Sequence, residues 1–503
     1  MSGVIGIYLN AGAQAANANA AADAATATAT ATVPAATPTD EAARLAYFGL
    51  HALQHRGQEG AGIAVGDNNT IIEVKDLGLV AQVFKESGLR ALTGHVALGH
   101  ATYNVARCEK NMPQWQSTQP HMSSISHQLI ALGFSGSLTN SKDVHRYLRD
   151  EKIHLDSSAD AEAIAALIGK FTVETSHIRE GIARTMSMVQ GSYAAGIITE
   201  SALYAFRDPL GISPLCIGEI LFEDGENKGK RRGWVIASET CGLDIIGARY
   251  LRDLEPGEVV KVSEAGVETL LANPAPKPAL CVFEYVYLAR PDSEMAGLSM
   301  YESRVKLGKE LAKEAFVDAD IVIGAPDSGI PGAVGYAKES GIPYGEGLTK
   351  NRYVGRTFIE PTQALRQRGI RLKLNPMKHA VRGRRVIVVD DSIVRGNTSK
   401  QMVTMLREAG AKEVHMRVTS PPVVSPCFYG IDMSTSDQLI ATQLTLEELR
   451  TSIGADSVAY LSLDGMVQAT GIPADELCMA CFDGNYPIDV GIDVDIDVGK
   501  DVS

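Results

Sequence analysis

The segment "RRVIVVDDSIVRGNTSKQMV", residues 384–403, decides the fold of the C-terminal half of this chain. Its four consecutive apolar residues, Val386 to Val389, predict a strand buried on both faces, as in a parallel sheet. Asp390 and Asp391 follow at the carboxyl end of that strand, where open α/β sheets bind ligands. Backbone N–H groups and hydroxyls at the start of the next helix form an anion cradle. The segment therefore indicates a sugar-phosphate site, although a plain strand–turn–helix with solvated acids is the ordinary alternative.

Related patterns extend this half into an α/β domain. "GAPDSGIPGAVGYA", residues 324–337, also follows an apolar strand and opens a helix, so Asp327 and Ser328 lie at a second strand end. Strands and helices alternate in the manner of a parallel sheet. The N-terminal half instead mixes short β-rich runs, glycine turns and helical patterns, which predicts antiparallel sheets with packed helices. We place the domains at 1–260 and 261–503.

Bulk properties exclude several classes of protein. The chain has 503 residues and a formal net charge of -13, which argues against broad binding to nucleic acid or anionic membranes. Seven cysteines are too few for a disulfide scaffold. No apolar stretch suits a membrane span or a signal peptide, so we expect a cytoplasmic protein. Residues 11–43, rich in Ala and Thr, carry few large apolar groups and predict a low-complexity insertion after the first strand.

A basic run lies between the two predicted ligand loops. From Lys350 to Lys373 the chain holds seven Lys or Arg residues and one acid. A solvated basic face is the usual interpretation of such a run. Its position in an acidic protein favours a lid that closes over a pyrophosphate and excludes water.

The chain resembles a known family at several of these motifs. Residues 384–403 resemble the phosphoribosyl-pyrophosphate (PRPP) signature of type I phosphoribosyltransferases. Together with "KNRYVGRTFI" (350–359), "CVFEYVYLARPDS" (281–293) and "YFGLHALQHRGQEGAGI" (47–63), they resemble the amidophosphoribosyltransferases. The resemblance implies an α+β glutaminase domain of the N-terminal-nucleophile (Ntn) hydrolase type, with sandwiched antiparallel sheets between helices. It also implies an α/β type I phosphoribosyltransferase domain.

The same resemblance implies the residues of the PRPP site. Asp390 and Asp391 would bind the ribose hydroxyls, and the loop that follows them would bind the 5′-phosphate. The basic run from Lys350 to Lys373 would bind the pyrophosphate. Ser328, Asp390 and Asp391 would surround a Mg²⁺ ion, which prefers hard oxygen ligands. The implied PRPP-binding residues are Asp390, Asp391, Ser392, Ile393, Val394, Arg395, Gly396, Asn397, Thr398, Lys350, Arg352 and Arg356.

Four cysteines match positions that one branch of the family uses for a [4Fe–4S] cluster: Cys281, Cys427, Cys478 and Cys481. The last two form a CxxC pair, which alone is ambiguous between zinc, redox and iron–sulfur roles. Four thiolates could equally hold zinc, and buried reduced cysteine is the ordinary alternative. The match over three segments favours the cluster.

The glutaminase half departs from the family. Ser2 stands where the family has its nucleophilic cysteine, Thr102 replaces the arginine that binds the glutamine carboxylate, and Ser135 replaces the asparagine of the oxyanion hole. Gly136 can still donate a backbone N–H, and Asp160 remains at the position that binds the glutamine amine. Loss of one oxyanion donor typically costs about a hundredfold or more. Three losses together predict a degenerate glutaminase.

The resulting hypothesis is an enzyme that makes 5-phosphoribosylamine from PRPP, the first step of purine biosynthesis, with ammonia that is free or comes from a separate partner. One alternative is a Ser2-dependent amidohydrolase or amidotransferase. Another is a non-catalytic regulatory paralogue that binds PRPP or a nucleotide, and a different amine as nucleophile stays open. The family also implies a homo-oligomer and inhibition by purine nucleotides.

Overall fold

The computed structural model describes residues 1–10, 39–105, 112–125, 128–225, 227–351, 374–433 and 435–490. Most of the predicted insertion, and Arg352 and Arg356 of the basic run, lie outside these residues, as does Cys108. No helix in the described part is long and apolar enough to cross a membrane.

The N-terminal half contains two antiparallel sheets that pack face to face. The strands of the first sheet are β1 (Gly3–Leu9), β2 (Gly60–Gly66), β3 (Ile71–Leu77), β4 (Val96–Thr102), β9 (Cys216–Leu221), β10 (Arg231–Ala237) and β11 (Arg249–Asp253). Those of the second are β5 (His121–Ile125), β6 (Gln128–Leu138), β7 (Gly191–Ile198), β8 (Leu203–Arg207), β12 (Glu258–Ser263) and β13 (Gly266–Ala272). The first sheet has the strand order β11-β9-β10-β1-β4-β2-β3, and the second has the order β13-β12-β8-β7-β6-β5.

Helices cover the outer faces of both sheets. Between the sheets, Val4 and Leu98 of the first pack with Ala194 and Leu203 of the second. Every residue of β1 is buried, because one of its faces meets the second sheet and the other meets helix α1. The helices of this half are α1 (Glu41–Ala52), α2 (Val80–Val83), α3 (Glu86–Ala91), α4 (Ser141–Asp150), α5 (Asp160–Thr175), α6 (Ile178–Met188) and α7 (Cys241–Asp244), with 3₁₀ turns at Gln54–Arg56 and Gln114–Ser117. This α–β–β–α layering confirms the antiparallel sheets with packed helices that the sequence pattern predicts and the Ntn-type arrangement that the family resemblance implies.

Two observed elements lie at the predicted limits of the domains and of the insertion. Strand β13 pairs with β12 in the second sheet, so the N-terminal sheet continues past residue 260 to Ala272. Helix α1 begins at Glu41, and its residues Ala42 and Ala43, at the end of the predicted insertion, are fully buried.

The C-terminal half is built on a parallel sheet with the order β17-β20-β21-β22, which confirms the predicted α/β class. Its strands are β17 (Ile321–Gly324), β20 (Arg385–Asp390), β21 (Glu413–Val418) and β22 (Ser457–Tyr460), and the short strands of this half are β14 (Leu280–Cys281), β15 (Glu294–Met295), β16 (Leu298–Ser299), β18 (Leu348–Lys350), β19 (Leu374–Pro376) and β23 (Leu477–Cys478). Its helices are α8 (Met300–Glu314), α9 (Ile330–Ser340), α10 (Lys378–Val381), α11 (Asn397–Glu408), α12 (Leu446–Ile453), α13 (Leu463–Thr470) and α14 (Ala480–Asp483). A π-helical turn at Glu284–Leu288 and 3₁₀ turns at Ser436–Gln438, Ile440–Thr442 and Ala474–Glu476 complete it.

A buried ion-pair network joins the two halves. Arg56 is fully buried and donates from Nη1 to Glu239 of the N-terminal half at 2.5 Å. It donates from Nη2 to Glu284 of the C-terminal half at 2.6 Å. Burial alone would lower the pKa of the Arg56 guanidinium. The negative charges of Glu284 and Glu239 have the larger effect, so the pKa is raised. Glu239 Oε2 also accepts from the hydroxyl of Ser293 at 2.7 Å, across the same interface.

Removal of Arg56 would leave two buried carboxylates without their shared cation. We expect Arg56→Met to lower the free energy of unfolding by about 3–5 kcal/mol, since breaking a buried pair strands the remaining charge. Urea denaturation measures this change. Arg44→Met is the control, because Arg44 is paired with Glu86 at the surface and should cost about 1 kcal/mol or less. Equal losses in the two variants would contradict a stabilising role for the network.

Candidate active site: two adjoining cavities and a cysteine cluster

The carboxyl ends of β17 and β20 create the first cavity. These strands are parallel neighbours, with Gly324 opposite Val389, so the loops that follow them meet at one edge of the sheet. The cavity between them has a volume of about 610 Å³. Among its lining residues are the following predicted site residues: Ser328, Asp390, Asp391, Ser392, Ile393, Val394, Arg395, Gly396, Asn397 and Thr398.

Lys350 lies beside this cavity and not in its wall. It ends strand β18, where its Nζ forms an ion pair with the carboxylate of Asp327 at 2.8 Å. Both residues line a separate space of about 130 Å³ next to the same loops. Lys350 is therefore the residue of the predicted lid that the structure places next to the cavity. Arg352 and Arg356 lie outside the described residues.

The two aspartates form a tightly held acidic pair. Asp390 is 8% exposed and Asp391 5% exposed. The backbone N–H of Asp391 donates to the Asp390 carboxylate at 3.0 Å, and the hydroxyl of Ser392 donates to that of Asp391 at 2.6 Å. Burial raises the pKa of both groups, and the negative charge of Asp391 raises the pKa of Asp390 further. Because burial removes water from these carboxylates, a ligand that offers a cation or a hydroxyl group would stabilise them.

The loop after the aspartates is shaped by a glycine. Gly396 has φ of +72°, and a Cβ there would lie 2.6 Å from the side chain of Ile440. The Ile440 backbone N–H in turn donates to the Val394 carbonyl at 2.9 Å, which fixes the loop. Helix α11 then begins at Asn397 and directs its first N–H groups toward the cavity, an arrangement suited to a phosphate.

A second cavity of about 880 Å³ lies in the N-terminal half and contains Ser2, Gly136 and Asp160 in its wall. Ser2 Oγ accepts from the Tyr103 backbone N–H at 3.2 Å, while the Ser2 carbonyl accepts from the hydroxyl of Ser135 at 2.7 Å. The Asp160 carboxylate accepts from the Leu138 N–H at 2.9 Å and from the Ser141 hydroxyl at 2.6 Å. The three predicted positions therefore share one space.

Gly136 needs to be glycine at this place. Its φ is +147°, and a Cβ there would lie 1.9 Å from the backbone oxygen of Ser192. Any side chain would push strands β6 and β7 apart, so Gly136 has a structural role whether or not its N–H stabilises an oxyanion.

The substituted positions make hydrogen bonds within the protein. Thr102 is 2% exposed, and its hydroxyl pairs with Nδ1 of His100 at 3.0 Å. The hydroxyl of Ser213, a position at which the family resemblance implies an arginine, pairs with the hydroxyl of Ser192 at 2.7 Å. Neither residue lines the second cavity, so neither supplies a group for a ligand carboxylate there.

The sequence did not point to four charged residues of this cavity. Lys142, Asp143 and Arg146 of helix α4 and Asp432 of the C-terminal half all line it. Lys142 and Arg146 are four residues apart and so share one helix face, a pattern that could have been recognised once Ser141 was known to contact Asp160. Asp432 comes from a distant segment, and the sequence carries no signal for its approach.

The two cavities meet at a common wall. Met1, Tyr103 and the segment Ile431 to Met433 line both of them. Met1 is 3% exposed and packs with the apolar core of the C-terminal half, and its amino group donates to the Gly430 carbonyl. Burial, followed by the positive charge of Arg56, lowers the pKa of that amino group to about 6.

Four cysteines surround a third, very small space. Cys281, Cys427, Cys478 and Cys481 all line it, and Cys281 is opposite Cys478 in the β14–β23 pair. Burial raises the pKa of each thiol, to about 12 for Cys478. Within the described residues, no three or more His, Cys, Asp or Glu side chains adopt an arrangement that could hold a metal.

Comparison with known proteins follows this division into two halves. Residues 107–227 match the model of a glutamine amidotransferase domain, and residues 298–420 match that of a phosphoribosyl transferase domain. The amidophosphoribosyltransferase of Mycobacterium leprae is 49% identical over 465 residues, covering 90% of this chain and 81% of that protein. The enzyme of Synechococcus elongatus is 48% identical and 90% of each chain is covered.

Solved structures agree with this result. The glutamine PRPP amidotransferase of Bacillus subtilis, in complex with ADP and GMP, superposes with a TM-score of 0.82 at 39% identity. The match covers 97% of this chain and 98% of that one. With both domains matched and nearly half of the residues identical over 90% of its length, the chain belongs to the amidophosphoribosyltransferases, the phosphoribosyltransferase enzymes of the first step of purine biosynthesis.

Proposed function

We propose that this chain forms 5-phosphoribosylamine from PRPP with ammonia that is free or supplied by a separate partner, and that its N-terminal half no longer hydrolyses glutamine. The contrast between the two cavities carries the proposal. The first keeps the acidic pair and the loop suited to a phosphate, whereas the second has a hydroxyl and not a thiol at Ser2. The hydroxyls of Thr102 and Ser135 lie outside the lining of the second cavity and bond within the protein.

In the proposed reaction the first cavity positions PRPP. The loop from Ser392 to Thr398 holds the 5′-phosphate through N–H and hydroxyl groups. Asp390 and Asp391 accept hydrogen bonds from the ribose hydroxyls. A Mg²⁺ ion fits the oxygen donors of Ser328 and these aspartates, and would neutralise charge on the pyrophosphate. Lys350 lies where it can pair with the leaving group once it separates from Asp327.

The chemical step then depends on position and charge. The lone pair of ammonia forms a bond to C1′ while the bond from C1′ to the pyrophosphate oxygen breaks. One proton leaves the nitrogen to give the neutral amine. Positive charge that develops on the ribose lies close to the Asp390 and Asp391 carboxylates, which stabilise it.

The N-terminal cavity is poorly equipped to cleave an amide. A serine hydroxyl needs a base to become a nucleophile. The Ser135 hydroxyl donates to the Ser2 carbonyl, so it is directed away from a substrate oxyanion. The competing function, a Ser2-dependent amidohydrolase, is favoured only by Gly136 and Asp160, which still line the cavity. The acidic pair argues against a purely regulatory PRPP- or nucleotide-binding paralogue.

We also propose that Cys281, Cys427, Cys478 and Cys481 hold a [4Fe–4S] cluster, with zinc as the alternative. Four soft sulfur donors around one enclosed space suit either group by chemistry. Burial raises the pKa of these thiols, so metal binding would have to displace their protons. Sparse reduced cysteines suit the cytoplasm.

The B. subtilis structure was obtained with ADP and GMP. By similarity we expect purine nucleotides to inhibit this chain and the chain to form a homo-oligomer.

The nitrogen donor provides the first test. With PRPP and Mg²⁺ at alkaline pH, we expect ammonium to support pyrophosphate release, while glutamine at the same concentration is at least about a hundredfold less effective because the oxyanion donor is missing. Ser2→Ala should leave the ammonium rate unchanged. Equal rates with glutamine and ammonium, or loss of glutamine turnover in Ser2→Ala, would instead support the amidohydrolase.

The raised pKa values of the aspartates predict an unusual pH dependence. Each folded-state pKa lies above the unfolded value of about 3.8, so the folded chain binds more protons. The associated stability is complete below the unfolded pKa and is lost as pH rises through the folded pKa. We therefore expect Asp390→Asn to raise the stability of the metal-free protein at pH 8 by about 1–2 kcal/mol, as removal of strained catalytic charges often does.

The Asp390→Asn variant should also lose pyrophosphate release. Thermal unfolding between pH 5 and pH 8 and the activity assay measure the two effects together. Asp224→Asn, at an exposed turn, is the control and should change neither. If Asp390→Asn is no more stable than the wild type at pH 8, burial of the ionised aspartates does not destabilise the folded protein, which would contradict the prediction.

The cysteine cluster can be tested by its metal content. After anaerobic reconstitution we expect equal amounts of iron and acid-labile sulfide, and an absorption band of a cluster that Cys481→Ser abolishes. Cys216→Ser is the control, because Cys216 is buried elsewhere and donates to the Ala237 carbonyl. Stoichiometric zinc without sulfide would assign the site to zinc.

A further inference from the structure

The sequence after Val490 has a regular acidic pattern. Residues 491–503 are "GIDVDIDVGKDVS" and lie outside the described residues. They contain four aspartates and one lysine. Asp493, Asp495 and Asp497 are two residues apart, so in an extended chain they share one side and the aliphatic residues between them share the other. The pattern therefore supplies a row of three carboxylates.

The start of this acidic segment is fixed by the last residue before it. Val490 is partly buried and lies in the wall of the second cavity, which has a volume of about 880 Å³. Ser141, Lys142 and Arg146 of helix α4 line the same cavity. The acidic segment therefore continues from a point in a cavity that helix α4 also borders.

A groove of about 450 Å³ lies along helix α4 next to that cavity. This α4 groove is lined by Ser141, Lys142, His145, Arg146, Arg149 and Ser158. Its basic residues are spaced by three and four, so they share one face of the helix. Among the described residues, no carboxylate lines the groove. The groove is therefore a basic surface in a chain whose net charge is -13.

The acids of helix α4 do not neutralise this face. Asp143 pairs with Arg146 at 3.0 Å, but both side chains are about two-thirds exposed, so water screens the pair. Asp150 ends the helix and lines neither the groove nor the second cavity. Within the described part of the chain, Lys142 and Arg149 form no ion pair. At least two cations of the groove therefore have no carboxylate partner there.

The second cavity is less suited than the α4 groove to an acidic segment. Its charged lining consists of the cations Lys142 and Arg146 and the carboxylates Asp143, Asp160 and Asp432. Like charges in one space repel each other. An acidic segment that starts at this cavity therefore finds its favourable partners along the groove.

The dimensions of the segment match those of the groove. An extended chain spans at most about 3.6 Å per residue, so Asp493 lies within about 11 Å of Val490 and Asp497 within about 25 Å. In an extended strand the carboxylates at 493 and 497 are about 13 Å apart. Lys142 and Arg149 are seven residues apart on the helix, a rise of about 10 Å. The long side chains of lysine and arginine cover the difference.

We propose that residues 491–503 dock in the α4 groove of their own chain. The carboxylates at 493, 495 and 497 then pair with the cations of that helix face. Each pair is weak alone because it is exposed to water. The short connection from Val490 makes the encounter intramolecular, with an effective concentration of about millimolar, so several weak pairs are enough to hold the segment. The inference goes beyond the proposed function and does not depend on it.

Carbodiimide cross-linking of the full-length protein tests the inference. The reagent activates a carboxylate, and a lysine amine then displaces the urea by-product and forms an amide. At low salt we expect peptides that join Lys142 to residues 491–503, with a yield about tenfold or more above those that join Lys228 to the same residues. Lys228 is the control, because it is exposed at a turn and lines neither the groove nor the second cavity.

Salt tests whether ion pairs hold the segment. The Debye length falls from about 30 Å at 0.01 M to about 3 Å at 1 M ionic strength. We therefore expect the Lys142 cross-link to decrease several-fold over this range. A Lys142 yield that is unchanged by salt, or equal to the Lys228 yield at low salt, would overturn the proposal.

Variants of helix α4 locate the docking site. Arg146→Gln combined with Arg149→Gln removes two cations and leaves Lys142 able to react, so the Lys142 cross-link should decrease about threefold or more. Arg179→Gln combined with Arg382→Gln makes the same change of charge at exposed positions elsewhere and should behave like the wild type. Equal yields in the two double variants would show that the segment does not rest on this helix face.

Isotope labelling identifies the chain that supplies the segment. In a mixture of labelled and unlabelled protein, cross-links within one chain join peptides of the same label. Peptides of mixed label, at the frequency expected for random exchange, would show that the groove of one molecule holds the acidic segment of a second copy. That result would overturn docking within one chain.

Discussion

The buried contact of Arg56 with Glu239 and Glu284 is the constraint on which the rest of the structure depends. One guanidinium neutralises a carboxylate from each half, and its Nε also donates to the Ser2 carbonyl at 3.2 Å. A buried charge without a partner would cost several kcal/mol, so the two halves are held in one relative position. Both cavities owe their shape to that position, because residues of the C-terminal half close the cavity of the N-terminal half.

The wall from Ile431 to Met433 shows the consequence. It lines both the first cavity, at the ends of β17 and β20, and the second cavity of the N-terminal half. Gly430 just before it has φ of +105°, and a Cβ there would lie 3.3 Å or closer to the backbone of Gly136. Gly136 of one half is thus packed directly on the loop that borders the first cavity of the other. A change of side chain at either glycine would disturb the packing between the halves.

Local patterns explain what the sequence predicted well. The strand from Val386 to Val389, the acids after it and the helix start are consecutive residues, so one periodicity argument locates them all. The four cysteines came only from family resemblance, since Cys281 and Cys478 meet through strands almost two hundred residues apart. Asp432 escaped notice for the same reason, because its position in the wall of the N-terminal cavity is created by tertiary packing and leaves no local signal.

Hydrogen bonding explains how three buried hydroxyls are accommodated in the N-terminal half. A buried polar group is costly when it lacks a partner. Each of these hydroxyls has one, since Thr102 pairs with His100, Ser135 with the Ser2 carbonyl and Ser213 with Ser192. Asp390 and Asp391 differ, because burial raises their pKa values and so disfavours the charged carboxylates. Buried acids of this kind lie where we propose that the bond to pyrophosphate breaks. Hydroxyls that already have partners within the protein lie in the half where we infer that catalysis has ceased.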